Sequence, residues 1–169
     1  MSLILAGVVA VVFLIADQIT KYLVSTNMEI GDTITVDFIK RILDFHYIQN
    51  DGGAWGMMGG KTWILLTVTS VIMVVLVVFM IKNIKGSKLF FWAGALIVSG
   101  GIGNMIDRVF NGGKVVDFLR FTFIDFPVFN IADCAVCIGA GLLILYFILD
   151  IIKEQKEKAL KATVEEGKE

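Results

Sequence analysis

The chain has 169 residues, 57% of them hydrophobic and 18% charged, with one proline and a mean hydropathy of +0.82. Soluble domains average about 45–50% apolar and about 25% charged residues, so an ordinary water-soluble domain is excluded and the composition is that of a membrane protein. The formal net charge is −1, from 15 basic and 16 acidic side chains. No basic arm stands apart, which argues against a nucleic-acid partner.

Four stretches reach the length that crosses a hydrocarbon core of about 30 Å as a helix: Leu3 to Val24, Thr62 to Ile81, Leu89 to Ile106 and Ile131 to Ile152. They predict an α-helical integral membrane protein with four transmembrane helices, a single membrane domain over residues 1–169. No Lys or Arg precedes the first span, which runs into Asp17, Gln18 and Lys21 rather than a small-residue cleavage site, so it is expected to be retained. After it, Ile34, Val36 and Phe38 alternate with Thr33, Thr35 and Asp37, and Leu43, Phe45 and Tyr47 alternate with Asp44 and His46. That is strand periodicity. Gly52, Gly53 and Gly56 predict a mobile loop, with Trp55 as an interfacial anchor.

The connector between the second and third spans carries Lys82, Lys85 and Lys88 and no acid, which the positive-inside rule assigns to the cytoplasm. Both termini are then cytoplasmic, and segments 25–61 and 107–130 are extracytoplasmic. In the third span Ala95, Ser99 and Gly103 form a small-residue stripe, as do Ala135 and Gly139 in the fourth, so these two spans are expected to pack closely. Asn111, Gly112 and Gly113 supply a turn before the alternating run Val115 to Ile124. With the earlier strands it predicts a small extracytoplasmic β-sheet. In the tail, 153–169, five lysines interleave with five glutamates, the pattern of a solvated helical end beside membrane lipids.

Ionisable residues inside a membrane are costly and need a partner or a purpose. Asp17 lies about 21 Å along an outward-running helix, at 1.5 Å per residue. Asn104, Asp107 and Arg108 close the outer end of the third span, Asn130 and Asp133 open the fourth, and Asn50 and Asp117 lie in the outer segments. All eight residues fall at one level, near the outer boundary of the hydrocarbon. One wet site accounts for them.

The chemistry open to that site is narrow. The single histidine, His46, reads as a solvated strand residue, and no serine, lysine and histidine grouping supports serine-type catalysis. No metal-ligand set or cofactor motif is present, so no cofactor is expected. What remains is a pair of carboxylates flanking a water, one acting as base toward the water and the other as acid toward the carbonyl oxygen. Asp133 follows the N-cap residue Asn130 at the third helical position, where the helix dipole stabilises a carboxylate, though capping alone is an alternative role. Asp117 sits among Val115, Val116 and Phe118, whose desolvation raises a carboxyl pKa. Asp107 with Arg108 has a structural alternative as an interfacial salt bridge, and Asp17 as the partner of Lys21 one turn away.

These residues resemble the successive signature blocks of the lipoprotein signal peptidases, the bacterial signal peptidase II family. The blocks are Asp17-Gln18-Ile19-Thr20-Lys21; Asn50 with Gly52-Gly53-Ala54-Trp55-Gly56; Gly100 to Arg108; Val115-Val116-Asp117-Phe118; and Phe129-Asn130-Ile131-Ala132-Asp133. The resemblance implies an aspartic endopeptidase of the bacterial cytoplasmic membrane. It would remove the signal peptide from diacylglyceryl-modified prolipoproteins just before the lipidated cysteine, at the extracytoplasmic face. By the same resemblance Asp117 and Asp133 are the catalytic dyad, and Asp17, Asn50, Asn104, Asp107, Arg108 and Asn130 support the dyad or the substrate. Asp51 stands where the family commonly has Thr.

Cys134 and Cys137 lie one turn apart inside the fourth span without a second ligand pair, and read as packing residues. Gly101-Ile102-Gly103-Asn104 is similar to the Gly-x-Gly-Asp of presenilin-like proteases, but Asn occupies the acid position. The alternative function is a small proton-coupled transporter. It would place acids near the midplane within repeated halves, a pattern that acids crowded at one face do not match.

Overall fold

In a computed structural model, which describes residues 2–52, 59–83 and 86–166, the chain runs in the order α1 (Ser2–Asn27), β1 (Thr33–Ile34), β2 (Leu43–Asn50), α2 (Thr62–Lys82), α3 (Lys88–Phe110), β3 (Val115–Phe121) and α4 (Ile131–Glu166). Trp55 and the glycines 53 and 56, expected to form a mobile anchor loop, lie outside the described residues, as does Lys85. Four of these helices are long and apolar enough to cross a membrane, over Ile4–Asn27, Thr62–Lys82, Lys88–Phe110 and Ile131–Lys161. Their apolar side chains point outward: Val8, Val12, Ile15 and Ile19 on α1 and Val68, Val71, Val74 and Val75 on α2 are all exposed. A bilayer solvates such a surface, and the polar groups turn inward instead.

The helices run further than hydropathy alone suggests. α3 continues to Phe110, so Asp107 and Arg108 belong to the helix rather than to the outer segment, and α4 continues without a break through the charged tail to Glu166. At the end of α3 the Asn111 and Gly113 amides donate to the carbonyls of Asp107 and Arg108, and Gly112 and Gly113 take φ of 62° and 92°. That left-handed pair reverses the chain from helix into strand.

α3 is the central helix, packed on α1, α2 and α4. Its contact with α4 is close, as expected, and Gly139 of the expected α4 stripe lies in it, but on α3 the expected stripe turns mainly to α1. Ser99 Oγ donates to Ala10 O of α1 at 2.7 Å, and a Cβ on Gly103 would lie 2.6 Å from Asp17 Oδ2 and 3.2 Å from Ala132 Cβ, so this face serves α1 and meets α4 only at its Gly103 end. α4 approaches on the neighbouring face, where a Cβ on Gly100 would collide with the Ala132 carbonyl and one on Gly139 would lie 2.8 Å from Ala93 O. A helix flanked on two sides needs small residues on two faces, and four-residue spacing reports only one of them.

The sheet is antiparallel in the order β1-β2-β3. Asp44 and Arg120 face each other across β2 and β3 and make a two-pronged ion pair, Nε to Oδ1 at 3.0 Å and Nη2 to Oδ2 at 2.7 Å. It pins one end of the ladder. A register shift between Phe45 and Ile48 then sets Ile48 opposite Asp117 and Asn50 opposite Val115. The expected strand over 33–38 is cut to two residues: from Val36 the chain turns, with Ile39 N–H on Val36 O and Ile42 N–H on Ile39 O. Likewise the run to Ile124 stops as a strand at Phe121. Tyr47, Val116 and Phe118 of the sheet pack with Val24 of α1, which docks the sheet on the end of the bundle where α1 and α3 finish and α4 begins.

Candidate active site

Two short devices bring Asp117 and Asp133 together. Phe129 bridges to β3, exchanging bonds with Leu119 (2.9 and 2.8 Å) and accepting the Phe118 N–H at 3.0 Å. The next residue, Asn130, is therefore held beside Asp117. Asn130 then caps α4 reciprocally: its Oδ1 accepts the Asp133 N–H at 3.0 Å, and Asp133 Oδ2 accepts the Asn130 N–H at 3.1 Å. This is a capping box built from Asn and Asp. Capping and site membership, weighed as alternatives for Asp133, are thus properties of the same carboxylate, because its second oxygen accepts Asn104 Nδ2–H at 2.8 Å.

Asp117 is 2% exposed and accepts two amide bonds, from Asn130 Nδ2 at 2.6 Å and from Asn50 Nδ2 at 2.8 Å. Asn50 reaches it diagonally across β2 and β3, and its own Oδ1 accepts the Gly52 N–H at 2.9 Å. Burial, reinforced by the nearby Asp133 charge, pushes the Asp117 carboxyl up from 3.8 to about 7. A carboxyl there is half protonated at neutral pH and can give or take a proton.

An ionic layer adjoins this pair. Asp17 Oδ1 accepts the Ala132 N–H at 2.8 Å in the first turn of α4, and its Oδ2 pairs with Lys21 at 2.9 Å. Asp107 also pairs with Lys21, at 3.1 Å, and accepts the Val116 N–H of β3 at 3.0 Å. Gln18 Nε2 donates to Asp17, to Asp107 and to the Gly103 carbonyl. The layer ties α1, α3, α4 and β3 to one another. Lys21 and Gln18 were not among the site residues expected from sequence. An ionisable Lys21 inside a span was the available signal, and its spacing from Asp17 made it look like a local counter-ion only.

The Asp107–Arg108 salt bridge, weighed as a structural alternative, does not form. Consecutive helical residues project about 100° apart, and Asp107 faces Lys21 while Arg108 Nη1 donates to the Asn104 carbonyl at 3.2 Å. Among the described residues Arg108 Nε is a buried donor without a hydrogen-bond partner, and the guanidinium lies within electrostatic reach of Asp117, Asp133 and Asp107. All eight expected residues thus converge on one cluster. Its half-buried members, Asp133, Asn50, Asn104 and Arg108, give it an open side. His46 stands apart, sharing a 2.8 Å hydrogen bond with Thr33 on the β1–β2 pair, and Cys134 and Cys137 are free thiols.

Fold and site together define a multi-pass membrane protein with carboxylates and amides gathered where a small sheet meets the helix ends. The family model described as signal peptidase (SPase) II matches residues 9–149, and the chain belongs to that family of membrane peptidases. It is 42% identical to the lipoprotein signal peptidase of Halalkalibacterium halodurans over 154 residues, covering 89% of this chain and 96% of that protein. Identity to the Bacillus subtilis lipoprotein signal peptidase is 36% over 152 residues, covering 89% and 97%. A solved bacterial membrane enzyme, determined by the in meso method at 2.3 Å, superposes with a TM-score of 0.81 at 38% identity over 86% of this chain and 88% of its own. The resemblance read from the sequence blocks is borne out, and the transporter alternative is set aside. The chain is a multi-pass bacterial membrane protein with signal peptidase II function, which implies prolipoprotein substrates in the membrane.

Proposed function

We propose that Asp117 and Asp133 are the catalytic dyad, and that the enzyme cuts diacylglyceryl-modified prolipoproteins just before the lipidated cysteine at the extracytoplasmic face. The observation that carries this reading is the shared grip of Asn130, whose side chain holds Asp117 while its backbone N–H holds Asp133. The raised pKa of Asp117 supports it as the member that carries the proton.

In the reaction Asp133 takes a proton from water as the water oxygen bonds to the scissile carbonyl carbon, and Asp117 gives its proton to the carbonyl oxygen. The tetrahedral diol then collapses. The C–N bond breaks, the cysteine nitrogen leaves with a proton from Asp133, and the other hydroxyl proton returns to Asp117, so the dyad ends as it began. Arg108 Nε, a donor with no protein partner among the described residues, is suited to a substrate carbonyl. Asn50, Asn104 and Asn130 hold the carboxylates in place, and Asp17 and Asp107 anchor the helices that carry them.

The lipid supplies selectivity. A diacylglyceryl group adds about 0.8 kcal/mol of membrane affinity per buried CH₂, which fixes the residue after the scissile bond at the depth of the dyad. Matched lipidated and unlipidated prolipoproteins in nanodiscs, with products identified by mass spectrometry, test this. The lipidated substrate should be cut before its cysteine and much faster; equal rates would contradict positioning by lipid.

A further inference from the structure

Among the described residues Lys21, 3% exposed, is the only buried lysine or arginine. Its ammonium has three N–H donors, and the structure gives each a partner: Asp17 Oδ2 at 2.9 Å, Asp107 Oδ2 at 3.1 Å and Asn104 Oδ1 at 2.9 Å. The two carboxylates neutralise it. The third bond neutralises nothing, yet it falls on the amide that donates to Asp133 Oδ1 at 2.8 Å.

A primary amide can be turned end over end with little change of shape, and its partners decide which end faces which way. Asn104 Oδ1 faces two donors, Lys21 Nζ and Asn130 Nδ2 at 3.1 Å, while Asn104 Nδ2 faces the Asp133 carboxylate. Turned over, the amide would set N–H groups against the ammonium and an oxygen against Asp133. In a buried, low-dielectric setting both contacts are strongly unfavourable. Asn130, the other donor on that oxygen, also holds Asp117 at 2.6 Å, so the Asn104 amide reaches Asp133 directly through its nitrogen and Asp117 through the donor on its oxygen.

We propose that Lys21 is a positioning residue of the peptidase reaction: by holding Asn104 Oδ1 it fixes the amide that aims the Asp133 carboxylate, and through Asn130 the same constraint reaches Asp117. The inference rests on Asp117 and Asp133 being the reacting pair. It separates two duties of the ionic layer. Asp17 and Asp107 tie Lys21 to the fold, and Lys21 passes that rigidity to the reacting groups.

The test is a double-mutant cycle on purified enzyme in nanodiscs with a lipidated prolipoprotein: wild type, Lys21→Met, Asn104→Ala and the double variant. Lys21→Met should lower kcat about 100-fold, the scale on which a misplaced reacting group costs, with KM changed less than about 3-fold. In the N104A background the same substitution should cost no more than about 3-fold, because its route to Asp133 is already gone. A K21M enzyme with near wild-type kcat, or losses that multiply across the cycle, would overturn the proposal. If K21M does not accumulate as folded protein, D17N/K21M/D107N removes the buried charges with their counter-ion and takes its place in the cycle. If N104A falls below detection, the infrared band of ¹³C-labelled Asp133, assigned with D133N, replaces the rate: it should move in K21M, and an unmoved band overturns the proposal. Full activity in D117N and D133N would instead dismiss the dyad, a result distinct from either failure.

Discussion

Asp117 is flanked in the chain by Val116 and Phe118, both buried, and it shares their environment. Its carboxyl therefore titrates near 7 rather than at 3.8. With the folded-state value above the unfolded one, the protonated form contributes stability that is fully present below about 4 and is lost as pH rises through about 7. Thermal unfolding of the wild type in detergent should show a midpoint that falls between about pH 5 and about pH 8, with a shallower slope in Asp117→Asn. Identical slopes would mean that another group titrates. The apolar run around Asp117 announced this environment in the sequence. Asp133 was harder to read, since an acid at the third position of a helix looks the same whether it caps or reacts. Only its second oxygen, on Asn104, separates the two roles. Lys21 was misjudged for a related reason: spacing gives its neighbour on the same helix, Asp17, but not the residues that α3 presents to it.

At the scale of elements, the site depends on how closely α3 and α4 approach, because Asn104 and Asp133 face each other across that contact. Gly100 permits it, as a side chain there would strike the Ala132 carbonyl, one residue from Asp133. Gly100→Ala should thus lower stability by about 1–3 kcal/mol, the usual cost of overpacking, and reduce cleavage further than that loss of folded protein explains. Gly141→Ala is the control, because a Cβ there meets no atom within 4 Å. An unaltered G100A enzyme would show that the helices can separate without disturbing the site. The four helices were plain in the sequence because lipid imposes length and hydropathy directly. The strands were less so. Alternation over Thr33 to Phe38 implies a buried face, yet Ile34 and Phe38 remain 50% and 87% exposed. Without packing on that face, the chain turns away after two paired residues.

For the whole molecule, the polar residues of the first, third and fourth spans and of the outer segments gather together, because a membrane leaves few other places for them. Distant blocks of the chain meet in one cluster joining three helices and two strands. What depth could not supply was order within the cluster, namely an amide-held pair of aspartates beside an ion-paired layer, since that depends on side-chain direction. The orientation we propose, with both termini cytoplasmic and the cluster outward, is checked by thiol labelling of intact cells. In a background free of Cys134 and Cys137, a cysteine replacing Gly112 should react with an impermeant reagent and one replacing Gly86 should not; the reverse would invert the topology. The proposed reaction centres on the two aspartates. Asp117→Asn and Asp133→Asn, purified in folded form, should each bind a lipidated prolipoprotein but cut it at least about 10⁴-fold more slowly than wild type, as expected when one member of a catalytic unit is removed. Cleavage at the wild-type rate by either variant would contradict the dyad.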